Sequence, residues 1–220
     1  MVGISNYSAH FLQPGHYGFS IKDNVGFYQS HSIQLEELIN LCGGIPIVVT
    51  NYSIEIIGMS EHVVQVRIKC DEFTTNRTLD FEDGIIHNDY MRVFDEGQGI
   101  GISLLVNQIQ AATAKKFKSL EVHAAGGLEW TSDWKGHAFW AKTGYTMSPE
   151  YVIKFKKWII DHRRTEANVF NLATDKKNGG YDLWYGEGFD LDGSFDLNLN
   201  SANRILLKKY LQMRGLNVNI

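Results

Sequence analysis

Hydrophobic positions along this chain change period several times, and the changes mark out the elements. From Ser32, apolar residues fall at Leu35, Leu38, Ile39 and Cys42, one helical face, with Ser32 as N-cap and Gly43-Gly44 as the stop. Ile45 to Met59 and His62 to Asp71 are rich in β-branched residues with partial alternation, as at Val64, Val66, Ile68 and Cys70, and read as strands joined by a hairpin at Gly58 to Glu61. Thr78 to Phe81 and Ile85 to Phe94 continue the extended pattern. The period then turns helical again, with Ile100, Leu104, Leu105, Ile109 and Ala112 on one face. Lys118 to Ala125 reads as another strand, and Gly136 to Tyr145 as a short helix closed at Gly144.

Beyond Met147 the pattern continues. Ser148-Pro149 opens a helix with Tyr151, Phe155, Trp158, Ile159 and His162 on one stripe, while Lys154, Lys156, Lys157, Arg163 and Arg164 make a basic solvated surface. Asp175 to Gly193 sets Trp184, Tyr185 and Phe189 among five glycines, a loop-like stretch expected as either a packed surface insertion or a lid over a cleft. Ser201 starts a last helix carrying Ile205, Leu206, Tyr210 and Leu211. Met1 to Ser30 has no clear period, and Gly15, Gly18 and Gly26 suggest turns.

Composition narrows the class. With 220 residues, 44% apolar and 12% aromatic, the chain can bury a sizeable core. A net charge of −4 does not mark a general nucleic-acid binder. Cys42 and Cys70 are the only cysteines, expected as buried thiols, and no metal spacing is present, so no metal is expected. No apolar run approaches membrane-spanning length, and the N-terminus lacks a charged start followed by a hydrophobic stretch. A cytoplasmic protein is expected, or an effector delivered without a cleavable signal, with no membrane partner.

The richest chemistry lies in Val93-Phe94-Asp95-Glu96-Gly97-Gln98-Gly99-Ile100-Gly101-Ile102, a glycine turn between a strand and a helix. The first amides of such a helix have no intrahelical acceptor, and its dipole is positive there. Glycine lets a ligand approach the backbone, so the turn suits a phosphate or pyrophosphate. A dinucleotide fold is the main rival for this turn. Gly97, Gly99 and Gly101 do not complete its fingerprint, although Glu121 lies at a suitable distance for a ribose contact. That fold needs repeated strand–helix units, and one is visible here.

The order of turn, strand and aromatic helix resembles the GNAT superfamily of N-acetyltransferases. Its phosphate loop, Arg/Gln-x-x-Gly-x-Gly/Ala, aligns with Glu96, Gly99 and Gly101, and its later aromatic helix ending in Gly-Phe or Gly-Tyr aligns with Phe139-Trp140-Ala141-Lys142-Thr143-Gly144-Tyr145. The resemblance covers Gly84 to Met147. It implies an α/β (α+β) GNAT fold, with a central mixed, mostly antiparallel sheet flanked by helices. Residues 1–147 would form the acyltransferase domain, with the cofactor loop at 93–102, and 148–220 a C-terminal extension packed on it.

The resemblance further implies acetyl-CoA as acyl donor and direct attack by an amine in a ternary complex. The pantetheine arm would pair with the backbone of Met91, Arg92 and Val93, and the pyrophosphate would sit on the amides of Gly97, Gln98, Gly99, Ile100, Gly101 and Ile102. Phe139, Trp140 and Lys142 would complete the cofactor contacts. Glu96 replaces the usual Arg or Gln, so the backbone is expected to bind the pyrophosphate with Glu96 turned away. Trp140 stands where many members carry a general-acid tyrosine, and an indole cannot protonate a thiolate. His123, His137 and Tyr145 are therefore the candidate catalytic groups, histidine being suited to proton transfer near neutrality. The acceptor stays open among a protein amine, a small-molecule amine and an aminoacyl-tRNA. The alternative is an acyl-CoA-binding or protein-interaction module on this fold without catalysis, which Glu96 and Trp140 favour.

Overall fold

A computed structural model describes residues 17–46, 49, 51–94, 97–127 and 135–220. The chain forms two compact units, one running to Ser119 and including Ile220, the other Leu120–Asn219. The first contains, in chain order, β1 (Tyr17–Lys22), α1 (Phe27–Ser30), α2 (Leu35–Leu41), β2 (Tyr52–Gly58), β3 (Val63–Cys70), β4 (Phe73–Asp80), β5 (Ile85–Val93) and α3 (Ile100–Ala114). Its strands lie in sequence order, β1 parallel to β2 and each later pair antiparallel. The fold class is α/β with a mixed, mostly antiparallel sheet, in line with the sequence reading.

Alternation decides which face of these strands is covered. Ile54 and Ile56 of β2 and Val64, Val66 and Ile68 of β3 are buried, as are Leu38, Ile39 and Leu41 of α2 and Leu104, Leu105 and Ile109 of α3. The two helices meet closely at Gly43, where a Cβ would lie 2.9 Å from the Leu104 carbonyl oxygen and φ is +108°. Gln108 of α3 donates to the Leu41 carbonyl and the Asn88 carboxamide oxygen, each at 3.0 Å, joining α2, α3 and β5.

Strand β4 is longer than the sequence suggests, because Phe73, Thr75, Arg77 and Leu79 are its buried residues and two of those are polar. Arg77 also marks an irregularity. Asn76 pairs with Tyr90 and Thr78 with His87, so Arg77 faces both Asn88 and Asp89, a β-bulge in β5. The buried guanidinium donates to the Tyr90 carbonyl at 2.5 Å and to its neighbour Asn76 at 3.0 Å. These bonds give the buried cation main-chain acceptors.

Several N-terminal expectations change. Gly18 lies in a strand, not a turn, while Gly26, at φ 78°, precedes the short α1. The N-cap of α2 is Gln34, not Ser32: Glu37 accepts from the Gln34 amide at 3.0 Å, closing a capping box. Gly15 and the strand-like residues 47, 48 and 50 fall outside the described residues. Of the expected strand from Ile45 to Met59, Tyr52–Gly58 is strand, while Ile45, Pro46, Val49, Asn51 and Met59 are described and lie outside it.

The second unit contains β6 (Ser119–Gly127, its first residue shared with the other unit), α4 (Gly136–Lys142), β7 (Thr146–Met147), α5 (Pro149–Asp161), α6 (Val169–Thr174), α7 (Gly180–Glu187), β8 (Phe189–Asp196) and α8 (Ala202–Met213). The strand order is β6-β8-β7, with β8 antiparallel to β7. The compact units thus divide at Ser119/Leu120 rather than after Met147. The reason is β8: this late strand sits between β6 and β7, and α4 packs on α6, α7 and β8, so 120–147 and 148–219 share one core.

The glycine-and-aromatic stretch expected as a surface insertion or lid is mostly helix α7 and strand β8. Trp184 is fully buried, with ring centroids of Phe189, Trp158, His137 and Phe155 at 5.1, 5.3, 5.6 and 5.9 Å. The last helix begins as expected, Ser201 accepting from the Arg204 amide, but Ile205 is exposed and the buried stripe is Asn203, Arg204, Leu207, Tyr210 and Leu211. A chain ending at Arg164 lacks β8, the middle strand of the second unit. Such a protein should lose amide protection across β6 and α4 in hydrogen exchange; protection there at the full-length level would show that the unit does not need β8.

Candidate functional site

In the first unit, β5 ends at Val93 and the Phe94 amide donates to the Glu72 carbonyl at 2.9 Å, closing the β4–β5 pair. Gly97 and Gly99 then take left-handed conformations, φ 88° and 84°, and Gly99 is the N-cap of α3. Only glycine enters this region without strain, which is why the turn is built from it. The first bond within the helix runs from the Ser103 amide to the Gly99 carbonyl at 3.1 Å. The amides of Ile100, Gly101 and Ile102 therefore precede the intrahelical ladder. Among the described residues no side chain caps this end, and no acidic residue lies in the first turn. A Cβ on Gly97 would meet nothing within 4 Å, and one on Gly99 only the Ile102 Cγ2 at 4.0 Å. Glu96, expected to turn away from the loop, lies outside the described residues.

The strand feeding the turn carries Met91 and Val93 half-buried and Arg92 exposed, its guanidinium 5.6 Å from the Phe94 ring centroid. One edge of this backbone is taken up by β4, with Met91 opposite Thr75, Arg92 opposite Thr74 and Val93 opposite Phe73. Both cysteines are buried free thiols, as expected. Burial pushes the Cys42 thiol up to about 12 and the Cys70 thiol to about 11, so neither is a thiolate near neutrality.

The second unit separates the catalytic candidates. His123 lies on the outer face of β6, between buried Val122 and Ala124, with its side chain 60% exposed. Its Nδ1 is 2.5 Å from Oδ1 of Asp192 on β8. His137 is fully buried in α4. Its Nε2 donates to the Trp184 carbonyl at 2.9 Å, and the Trp184 indole donates back to the His137 carbonyl at 3.3 Å. Burial, the largest cause, holds this imidazole below its ordinary value. His137 is thus a neutral structural bridge, not a solvent-facing acid. Tyr145 is also buried, against the rings of Trp140 at 4.9 Å and Phe195 at 5.5 Å.

The remaining sequence-assigned residues sit on α4. Trp140 is buried and packs edge-on to Phe139 and Tyr145, so its indole serves the core of its own unit. Phe139 is half-buried, and the Lys142 ammonium lies 5.4 Å from the Tyr181 ring centroid. Sequence reasoning missed Asp192, because an aspartate in a glycine-rich stretch carries no periodic signal and the pairing spans 69 positions. It also missed Tyr151 as a neighbour of that carboxylate. Burial raises the Tyr151 phenol, with the charges of Asp192, Glu150 and Asp190 adding to it. Among the described residues no group of three or more His, Cys, Asp or Glu is placed to hold a metal ion, and no helix is long and apolar enough to cross a membrane.

His137 gives a pH dependence with a defined sign. Its folded value lies below the ordinary 6.5, so the unfolded chain binds a proton that the folded chain resists. This contribution costs nothing well above 6.5 and reduces stability as pH falls through 6.5 toward the folded value. His137→Gln keeps an N–H near the Trp184 carbonyl but cannot titrate. Urea unfolding from pH 7.5 to 5 should show a shallower acid-side loss in the variant; equal slopes would show that His137 does not contribute.

Compared with known proteins, the chain matches no family model, no curated protein and no solved structure.

Proposed function

We propose that this chain is an acyl-CoA-dependent N-acyltransferase on a GNAT-type fold, taking acetyl from acetyl-CoA to an amine. One observation carries the reading. A bulged strand, β5, leads through two left-handed glycines into the N-terminus of a 15-residue helix that no described side chain caps. A helix of that length presents its dipole and its first amides to an anion, and no first-turn carboxylate opposes it. The space that the described residues leave open at Gly97 and Gly99 fits the approach of a pyrophosphate to the backbone. In this reading the amides from Gly97 to Ile102 hold the pyrophosphate, and the backbone of Met91 to Val93 pairs with the pantetheine arm. The bulge re-aims backbone groups of β5, one of which can stabilise the oxygen that gains charge during acyl transfer.

Acetyl-CoA supplies the thioester; the protein supplies orientation and proton transfer. Of the catalytic candidates, His123 alone offers an exposed imidazole, since His137 and Tyr145 are buried in the core of their unit. The two buried, protonated thiols do not support a route through a cysteine thioester. The second reading, an acyl-CoA-binding module without turnover, draws on Trp140, which occupies the family's tyrosine position and is spent on packing. The two readings differ in turnover alone.

Acetyl-CoA or CoA should raise the melting temperature, because a ligand that binds only the native state shifts unfolding by mass action. Gly99→Val should abolish the shift while the protein stays folded, since a β-branched residue is strained at φ 84° and its methyls fill the space before the amides. Absence of calorimetric binding to the unaltered protein at millimolar CoA would overturn the proposal. A shift given by NAD in place of CoA would favour the dinucleotide fold.

A further inference from the structure

We propose that α4 and α7 present a binding surface for single-stranded nucleic acid. The surface belongs to the second unit alone and does not depend on acyl transfer. Its two helices run in opposite directions. Lys135, the N-cap of α4, places its ammonium 4.5 Å from the ring centroid of Tyr185 in the second turn of α7. Lys142, at the end of α4, lies 5.4 Å from the ring centroid of Tyr181 in the first turn. Tyr181 and Tyr185 are four residues apart and share a helix face, with ring centroids 5.7 Å apart and planes 32° from parallel. Lys176, in the connection from α6 to α7, adds a third ammonium 5.4 Å from the Tyr181 ring. Two neighbouring rings are thus flanked by cations at both ends.

An aromatic ring attracts an ammonium through its quadrupole but carries no net charge, so these cations are held in place without being neutralised. Carboxylates close to them in sequence are engaged elsewhere. Asp175 accepts from Arg164 and Asn178, and Glu187 faces the His162 ring at 3.2 Å. Asp182 follows Tyr181 but lies roughly 100° round the helix from it. Among the described residues neither Lys135 nor Lys176 forms an ion pair. Lys176 and its neighbour Lys177 are exposed, while Lys135, Lys142, Tyr181 and Tyr185 are half-buried and keep part of their surface in solvent. The overall charge of −4 does not oppose this, because a charge in salt water is felt over about 10 Å and the cluster is local.

Ammonium groups alone would suit any polyanion, and the rings between them narrow the choice. A single strand repeats a phosphate and a flat base, and this surface pairs point charges with flat faces. A base stacks on a phenol whatever its identity, and the flexible lysine stem lets an ammonium leave the ring for a phosphate oxygen. A strand laid along α7 would set successive bases at Tyr181 and Tyr185 and its phosphates at the lysines. An acidic peptide brings charge without the flat groups, and a duplex keeps its bases stacked inside.

Fluorescence anisotropy of a short labelled oligouridylate with the full chain should show saturable binding that weakens as salt rises. Lys135→Gln and Lys176→Gln should each lower affinity and reduce the slope of log affinity against log salt by about 0.7. Tyr185→Leu should lower affinity on the order of tenfold with the salt slope unchanged, because it removes stacking and no charge. Melting temperatures taken alongside separate a lost surface from a lost fold, and the lysine variants carry the test if Tyr185→Leu unfolds. Lys156→Gln, on the exposed side of α5, should leave affinity and slope near the unaltered values. The proposal is overturned if the unaltered protein does not bind the oligonucleotide at low salt, or binds a matched duplex or an oligoglutamate equally well. It is also overturned if Lys156→Gln costs as much as Lys176→Gln. No CoA is present, so the result is independent of acyl transfer.

Discussion

Burying the guanidinium of Arg77 is the constraint on which the first unit turns. A cation taken out of water needs acceptors, and the nearest are main-chain carbonyls. Tyr90 and Asn76 provide them. The bulge in β5 lies opposite Arg77, and the Tyr90 carbonyl just beyond it accepts from the guanidinium. The extra residue bends β5 shortly before the glycine turn. Gln108 reinforces the arrangement from α3, bonding the buried Asn88 inside the bulge and the end of α2 at once. The direction in which the strand delivers the chain into α3 thus depends on polar groups buried inside the unit.

The second unit solves a different problem, how to build a core from short elements. Trp184 supplies the area that one long helix would otherwise supply. It is locked to α4 by two reciprocal bonds with His137, and Gly188 allows the close approach, since a Cβ there would lie 2.6 Å from the His137 ring. Aromatic residues of α5 and β8 then pack edge-on around this one indole. This use of His137 as a fastener removes it from chemistry. The outer face of the same sheet is left to polar side chains, and there His123 and Asp192 meet.

The elements with strong period were legible in the sequence. The β2–β3 hairpin, β5, α3, β6, α4, α5 and the start of α8 follow from alternation, helical spacing, caps and glycine stops. Elements with mixed signals were not. Strand β4 places Thr75 and Arg77 on its buried face, so hydropathy hides half of it. Helix α7 contains glycines at 180 and 186, and β8 alternates with aspartates, so both read as loop until packing on Trp184 and insertion between two strands overrule local propensity. The unit boundary was hidden for the same reason, since no local pattern says that residue 191 completes a sheet begun at residue 120.

For the candidate site the division is similar. By itself the sequence determined the glycine turn, because positive φ and close backbone approach are properties of residues 97 and 99 and of the helix they start. It also determined that histidines on β6 and α4 were available. Only the tertiary structure shows that His137 is buried and His123 exposed. The protonation and reach of an imidazole depend on what surrounds it, and the two partners that matter, Asp192 and the Trp184 carbonyl, lie 69 and 47 residues away along the chain. Proximity across such separations is a property of packing, and no local pattern encodes it.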